Sequence, residues 1–202
     1  MVLQALGDTG ALANTVILFS SDHGDYLGDH NLTGKNSFYE SATRVPLLVR
    51  PSQAQSTTHC DQLVTLSDVT ATVLAFARAD IPAHMDSLPL PNLGLAVETP
   101  RDRVVGSLQR AWMLVRDEWK LAKYAGGGTM LFSLDEDPTE QHNLAGESAY
   151  AEVYRRLDAE LTTAIMDSLD LSHADKRVYT HTLSGSQEFG RPGWPRMYPA
   201  DI

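Results

Sequence analysis

Five apolar or β-branched residues, Thr15-Val16-Ile17-Leu18-Phe19, run almost directly into a polar segment, Ser21-Asp22-His23-Gly24-Asp25-Tyr26-Leu27-Gly28-Asp29-His30. A short continuous run of this kind suits a strand covered on both faces in a parallel sheet, which makes an α/β fold the expectation. Ligand sites of open α/β sheets lie beyond the C-terminal ends of their strands, and the polar segment falls there. An adjacent Asp and His, in a loop that glycines let fold tightly, can present a carboxylate oxygen and an imidazole nitrogen to one cation. A polar surface turn uses the same residue types, so Asp22-His23-Gly24 alone leaves both readings open. Two further Asp, a second His and Lys35 follow within thirteen residues. That cluster suits an anionic substrate held between a cation and an ammonium group.

Beyond a polar loop of about twenty-five residues, Val45-Pro46-Leu47-Leu48-Val49 predicts the next strand, with Pro46 at its start. Val2 to Leu6 predicts a short helix. Ser67 and Asp68 offer a cap for a second helix, with Val69, Thr72, Val73 and Phe76 at helical spacing and Pro82 as its stop. Past Pro100, Arg103 to Ser107, Trp112 to Arg116, Trp119 to Tyr124 and Met130 to Leu134 predict a small antiparallel sheet, with Asp117-Glu118 as a tight turn. Val153, Leu157, Leu161 and Ile165 then mark one face of an amphipathic helix. Trp112, Trp119 and Tyr124 are expected in the core rather than as a sugar platform. The expected organisation is an α/β section over 1–100, an α+β section over 101–183, and an irregular tail over 184–202 that includes Gly193-Trp194-Pro195.

The formal charge is -10, from 16 basic and 26 acidic residues, and no Lys/Arg run forms the footprint of nucleic-acid binding. No stretch approaches the roughly 18 apolar residues of a membrane span. With one cysteine, Cys60, the chain can form neither an internal disulfide nor a multi-cysteine zinc site. Cys60 is expected as a small, partly buried hydrophobe. Met1 to Leu6 lacks the basic and apolar regions of a secretory signal, so a natural start at Met1 would imply the cytoplasm.

Three blocks carry a resemblance to a known family. The first holds, in order, Ser21-Asp22-His23-Gly24, Gly28-Asp29-His30, Gly34-Lys35, Tyr39-Glu40 and Arg44-Val45-Pro46. The second runs from Val64 through Leu66, Asp68, Thr72 and Leu74, with Ala71 at a usual proline position. The third runs from Leu131 to Ala145, with Phe132 and Ser133 where Tyr and Asp are usual. Together, over about residues 1 to 165, they resemble the C-terminal part of the sulfatases, within the alkaline phosphatase superfamily. The resemblance implies a mostly parallel sheet with helices, then a small antiparallel sheet and a packed C-terminal helix. It also implies that Asp22 and His23 ligate a metal, usually calcium, with manganese an alternative, and that Lys35 contacts the transferred sulfate. His30 is expected to line the substrate site without binding metal, and for Glu40 and Arg44 an ion pair or helix cap stands beside substrate contact as the expected role.

The formylglycine nucleophile of that family arises from the Cys of a C-x-P-x-R motif and works with two early aspartates. Cys60 is followed by Asp61-Gln62-Leu63 and cannot be that Cys. The expectation is therefore a sulfuric ester hydrolase fragment, inactive alone on its sulfate ester and completed by an N-terminal chain or by association with copies of itself. A sheet short of strands would expose a hydrophobic edge that favours such a partner. The alternatives are a phosphonate monoester or phosphodiester hydrolase of the same superfamily, and a non-catalytic remnant serving as a binding or assembly module.

Overall fold

A computed structural model describes residues 1–52, 57–82, 85–95, 100–180, 188–189 and 196–197, with side chains described as far as residue 169. Helix α1 (Val2–Asp8) leads into β1 (Ile17–Ser20), and the polar loop returns through a single helical turn, α2 (Glu40–Thr43), to β2 (Leu47–Arg50). The two strands pair antiparallel, with Ile17 opposite Arg50 and Phe19 opposite Leu48.

This corrects the expectation of a strand covered on both faces. Phe19 and Leu48 face each other in register and are 58% and 62% exposed. Among the described residues no third strand joins the β1–β2 ribbon to extend it over that face. Among the described residues every strand pairing is antiparallel.

Helix α3 (Leu66–Phe76) is capped by Thr65, two residues before the expected Ser67-Asp68 pair. Asp68 at the third helical position accepts from the Thr65 amide at 2.8 Å, the return half of a capping box. The helix ends well before Pro82, where Arg78 takes a left-handed φ of 55° and the Ala79 amide bonds back to Leu74 O. Asp68 is buried and its other oxygen accepts from the Leu88 amide at 2.9 Å and Arg101 Nη2 at 2.6 Å. Thr72, also buried, accepts from the Leu90 amide at 2.8 Å. These two side chains strap the irregular segment after the helix onto its surface.

The second sheet follows the sequence closely: β3 (Arg103–Leu108), β4 (Ala111–Arg116), β5 (Trp119–Tyr124) and β6 (Thr129–Ser133) form an antiparallel meander in chain order. Asp117-Glu118 makes the expected turn, with Asp117 at φ 53°. One sheet face gives Leu114, Leu121 and Leu131 to a core completed by Leu157 and Leu161 of α4 (Ala151–Thr180), all five with no exposed surface. Burying each contributes about 1.5–3 kcal/mol, which makes this the main store of apolar stabilisation. Trp112 and Trp119 pack against it, as expected of core residues. On the other face Phe38, from the loop between β1 and β2, packs on Ala111 and Ala122 beside Tyr124 and Met130. That contact joins the loop to the second sheet.

Cys60 is exposed rather than partly buried. No described helix is long and apolar enough to cross a membrane. Gly193-Trp194-Pro195 lie outside the described residues, while β7 (Glu188–Phe189) and β8 (Arg196–Met197) pair within a tail expected to be irregular.

Candidate functional site

Where β1 ends, Ser21 Oγ donates to the His23 carbonyl at 2.8 Å and turns the chain back on itself. His23 Nδ1 lies 2.7 Å from the Gly24 carbonyl, which can only accept, so Nδ1 carries a proton and Nε2 is the ring nitrogen turned to the site. A histidine oriented by a backbone carbonyl through one ring nitrogen is prepared to ligate through the other. Nε2 points to Asp22, 3.3 Å from Oδ2, and Lys35 reaches back across twelve residues so that its Nζ also contacts Nε2. Asp22, His23 and Lys35 therefore converge beyond the C-terminal end of β1.

The glycine of the triplet has a steric cause. A Cβ on Gly24 would lie 2.0 Å from the Ser41 carbonyl oxygen, while the Gly24 amide donates to Ala42 O at 2.9 Å. Only a residue without a side chain lets the loop press so closely on α2. Two further bonds close the loop on itself, Tyr26 N to Gly34 O at 2.9 Å and Gly28 N to Leu32 O at 3.0 Å, with Gly28 and Gly34 both at positive φ. Buried Tyr26 fastens it to Ser37 through a 2.6 Å hydroxyl bond. Asp25 accepts from the Leu27 amide at 3.1 Å, a local turn bond.

His30 stands outside the Asp22–His23–Lys35 cluster. Its backbone takes φ 53° and its ring stacks on Tyr39, with centroids 3.6 Å apart and planes 9° from parallel. It lines a cleft of about 320 Å³ with Asp29, Glu40, Ser41, Thr139 and Gln141. Glu40 pairs with Arg44 at 3.8 Å, as expected, but its short partner is Lys120 Nζ at 2.5 Å. Nothing local in the sequence announces that second pairing, since the two residues lie eighty apart.

The Asp22 carboxyl is held below the usual aspartate range, first by a hydrogen bond from its own backbone; burial opposes this, and the charges of His23 and Lys35 reinforce it. Burial pushes the Tyr39 hydroxyl up, and Tyr124 and Glu140 add to the shift.

One carboxylate and one imidazole that presents Nε2 suit a divalent cation once Lys35 moves off that nitrogen. They are two donors where calcium takes six to eight, and among the described residues no three His, Cys, Asp or Glu converge on a common point. The chain thus fits part of a cation shell.

The sulfatase family profile matches residues 1–79. Arylsulfatase K of Xenopus laevis is 29% identical over 182 residues, which span 81% of this chain and 34% of that protein. Among solved structures, a 2-O GAG sulfatase superposes with a TM-score of 0.75 at 28% identity, over 90% of this chain and 43% of its own. The phosphonate monoester hydrolase of Agrobacterium radiobacter superposes with a TM-score of 0.70 at 25% identity, over 82% of this chain and 38% of its own. The chain spans about a third of the length of the curated relatives it matches. The family profile, the curated sulfatases and the solved sulfatase structures together place the chain in the sulfatase, alkaline phosphatase-like family, matching part of the length of those proteins.

Proposed function

We propose that this chain supplies the cation-binding and sulfate-binding half of a sulfuric ester hydrolase, with Asp22 and His23 as ligands of calcium, or of manganese, and Lys35 as the contact to the transferred sulfate. The observation that carries the reading is the meeting of Asp22 Oδ2, His23 Nε2 and Lys35 Nζ at the end of β1. When bound, the cation supplies Lewis acidity toward a sulfate oxygen. Lys35 does the rest of the charge work: its ammonium turns from the His23 ring to an anionic sulfate oxygen, a stronger acceptor, and releases Nε2. Asp22, like any aspartate, is ionised through the neutral range, and its lowered pKa extends that toward acid. To His30, stacked on Tyr39 at the cleft, we assign contact with the alcohol part of the ester, a reading its position on the cleft supports.

Cys60 cannot provide the nucleophile: it is exposed, lacks the C-x-P-x-R context and sits between His59 and Asp61, which pair with each other at 2.8 Å. Turnover needs a formylglycine-bearing N-terminal part, and the exposed Phe19 and Leu48 face offers such a partner an apolar surface. The phosphonate monoester hydrolase among the structural neighbours supports a second reading, hydrolysis of phosphonate monoesters or phosphodiesters.

The test joins this chain to a formylglycine-bearing segment and compares aryl sulfate with aryl phosphonate turnover, for the wild type and Lys35→Ala. Loss of an anion-stabilising donor predicts about a 100-fold fall in kcat/KM on the sulfate. Faster phosphonate turnover would select the second reading, and an unaffected Lys35→Ala would remove Lys35 from the site.

A further inference from the structure

Lys120 of β5 is 1% exposed, and an ammonium so buried is tolerated only when opposite charge pairs with it. It donates to Phe38 O at 2.9 Å and to Glu40 Oε1 at 2.5 Å, and lies 2.8 Å from Glu140 Oε1 in an ion pair that lacks hydrogen-bond geometry. Glu140, equally buried, uses its second oxygen to accept from the Glu40 amide at 2.5 Å. The node therefore ties the second sheet and the 138–141 turn to residues 38–40, the entry of α2.

The carbonyls of Ser41 and Ala42, one step further along, cradle Gly24: the first leaves no room for a Cβ and the second accepts its amide. Gly24 in turn accepts the Nδ1 proton of His23 through its carbonyl. Hydrogen bonds and one covalent step along α2 thus link Lys120 and Glu140 through Glu40, Ala42 and Gly24 to the imidazole. We propose that Lys120 and Glu140 are positioning residues for the Asp22-His23 loop, holding α2 so that His23 keeps its orientation. The functional consequence rests on the reading of that loop as a cation site; the mechanical coupling does not.

Amide hydrogen exchange on the full 202-residue chain tests this, because local opening is read residue by residue. Lys120→Met is expected to speed exchange at Glu40 and Gly24 at least tenfold while the β4 and β5 amides change less than twofold. Glu140→Ala removes the acceptor of the Glu40 amide, leaves Lys120 paired with Glu40, and serves if Lys120→Met fails to fold. It is expected to show the same contrast at about threefold. Gly24 exchange unchanged in a folded variant, or raised equally across loop and sheet in Glu140→Ala, would overturn the proposal. Mn2+ line broadening at His23 separates the two readings. Its absence in the wild type sinks the cation site and leaves the exchange result standing, whereas Asp22→Ala is expected to remove broadening without altering Gly24 exchange.

Discussion

In the four-stranded sheet and α4, five leucines meet with no exposed surface; in β1 and β2 the large apolar side chains Phe19 and Leu48 lie open to solvent. The first region carries its own core. The second holds its shape through backbone bonds within the loop, the Gly24 approach to α2, and contacts lent by the sheet through Phe38 and Lys120. The difference teaches how a polar ligand loop is kept rigid: the site has little apolar mass, so its order is fastened to a neighbour that has plenty.

The largest expected effect tests whether residues 1–100 contain any strong fixed point of their own. Asp68→Ala strips the carboxylate from Arg101, whose side chain is only 18% exposed and keeps the Asp86 carbonyl at 3.2 Å, and leaves the Leu88 and Thr65 amides without that acceptor. Breaking such a pair costs about 3–5 kcal/mol, read by denaturant unfolding. A cost below about 1 kcal/mol would show that the strap after α3 is as weakly held as the β1–β2 face.

Next comes the contrast itself. Leu121→Ala should cost about 2–5 kcal/mol, while Phe19→Ser, on the open face, should stay within about 0.5 kcal/mol. Equal costs would break the comparison by showing that the exposed face is covered in solution. A third variant, Gly24→Ala, forces the loop off Ser41 O and is expected to weaken cation binding at Asp22 and His23 at least tenfold with the sheet's unfolding midpoint unchanged. A lowered midpoint with binding intact would reverse the roles assigned to the two regions.

The smallest effect is a pH dependence in the 137–142 turn that carries Glu140. Burial pushes the Asp137 carboxyl up, but the Gln141 and His142 amides outweigh it and the net shift is downward, with His142 N donating at 2.7 Å. A depressed folded-state pKa gives stability that is present above the unfolded value of about 3.9 and is lost as pH falls through the folded value. Exchange at the His142 amide should therefore rise on acidification below that value before the β4 and β5 amides respond. Simultaneous loss would mean that the turn and the core open together.

Strands β3 to β6, the Asp117-Glu118 turn and the Leu157–Leu161 face were legible because each depends on alternation or helical spacing within a few residues. The Asp22, His23 and Lys35 grouping was legible because its motif is local, spanning fourteen residues from Asp22 to Lys35. A strand's partner is not written in its own run, and so the antiparallel β1–β2 pairing and its open face were missed. Thr65 and Ser67 can both cap a helix; Asp68, three residues after Thr65, decides between them. Lys120 reads as a surface residue of an alternating strand until Glu40 and Glu140 arrive from distant segments. Cys60 follows the polarity of His59 and Asp61 rather than the usual burial of cysteine.

The central claim, that Asp22 and His23 form part of a divalent-cation site, is tested most directly by adding Mn2+ to the isotopically labelled chain and mapping line broadening. The account predicts broadening centred on Asp22, His23 and Gly24 at substoichiometric metal, abolished in Asp22→Ala. Broadening scattered over the acidic surface and unchanged in Asp22→Ala would contradict it.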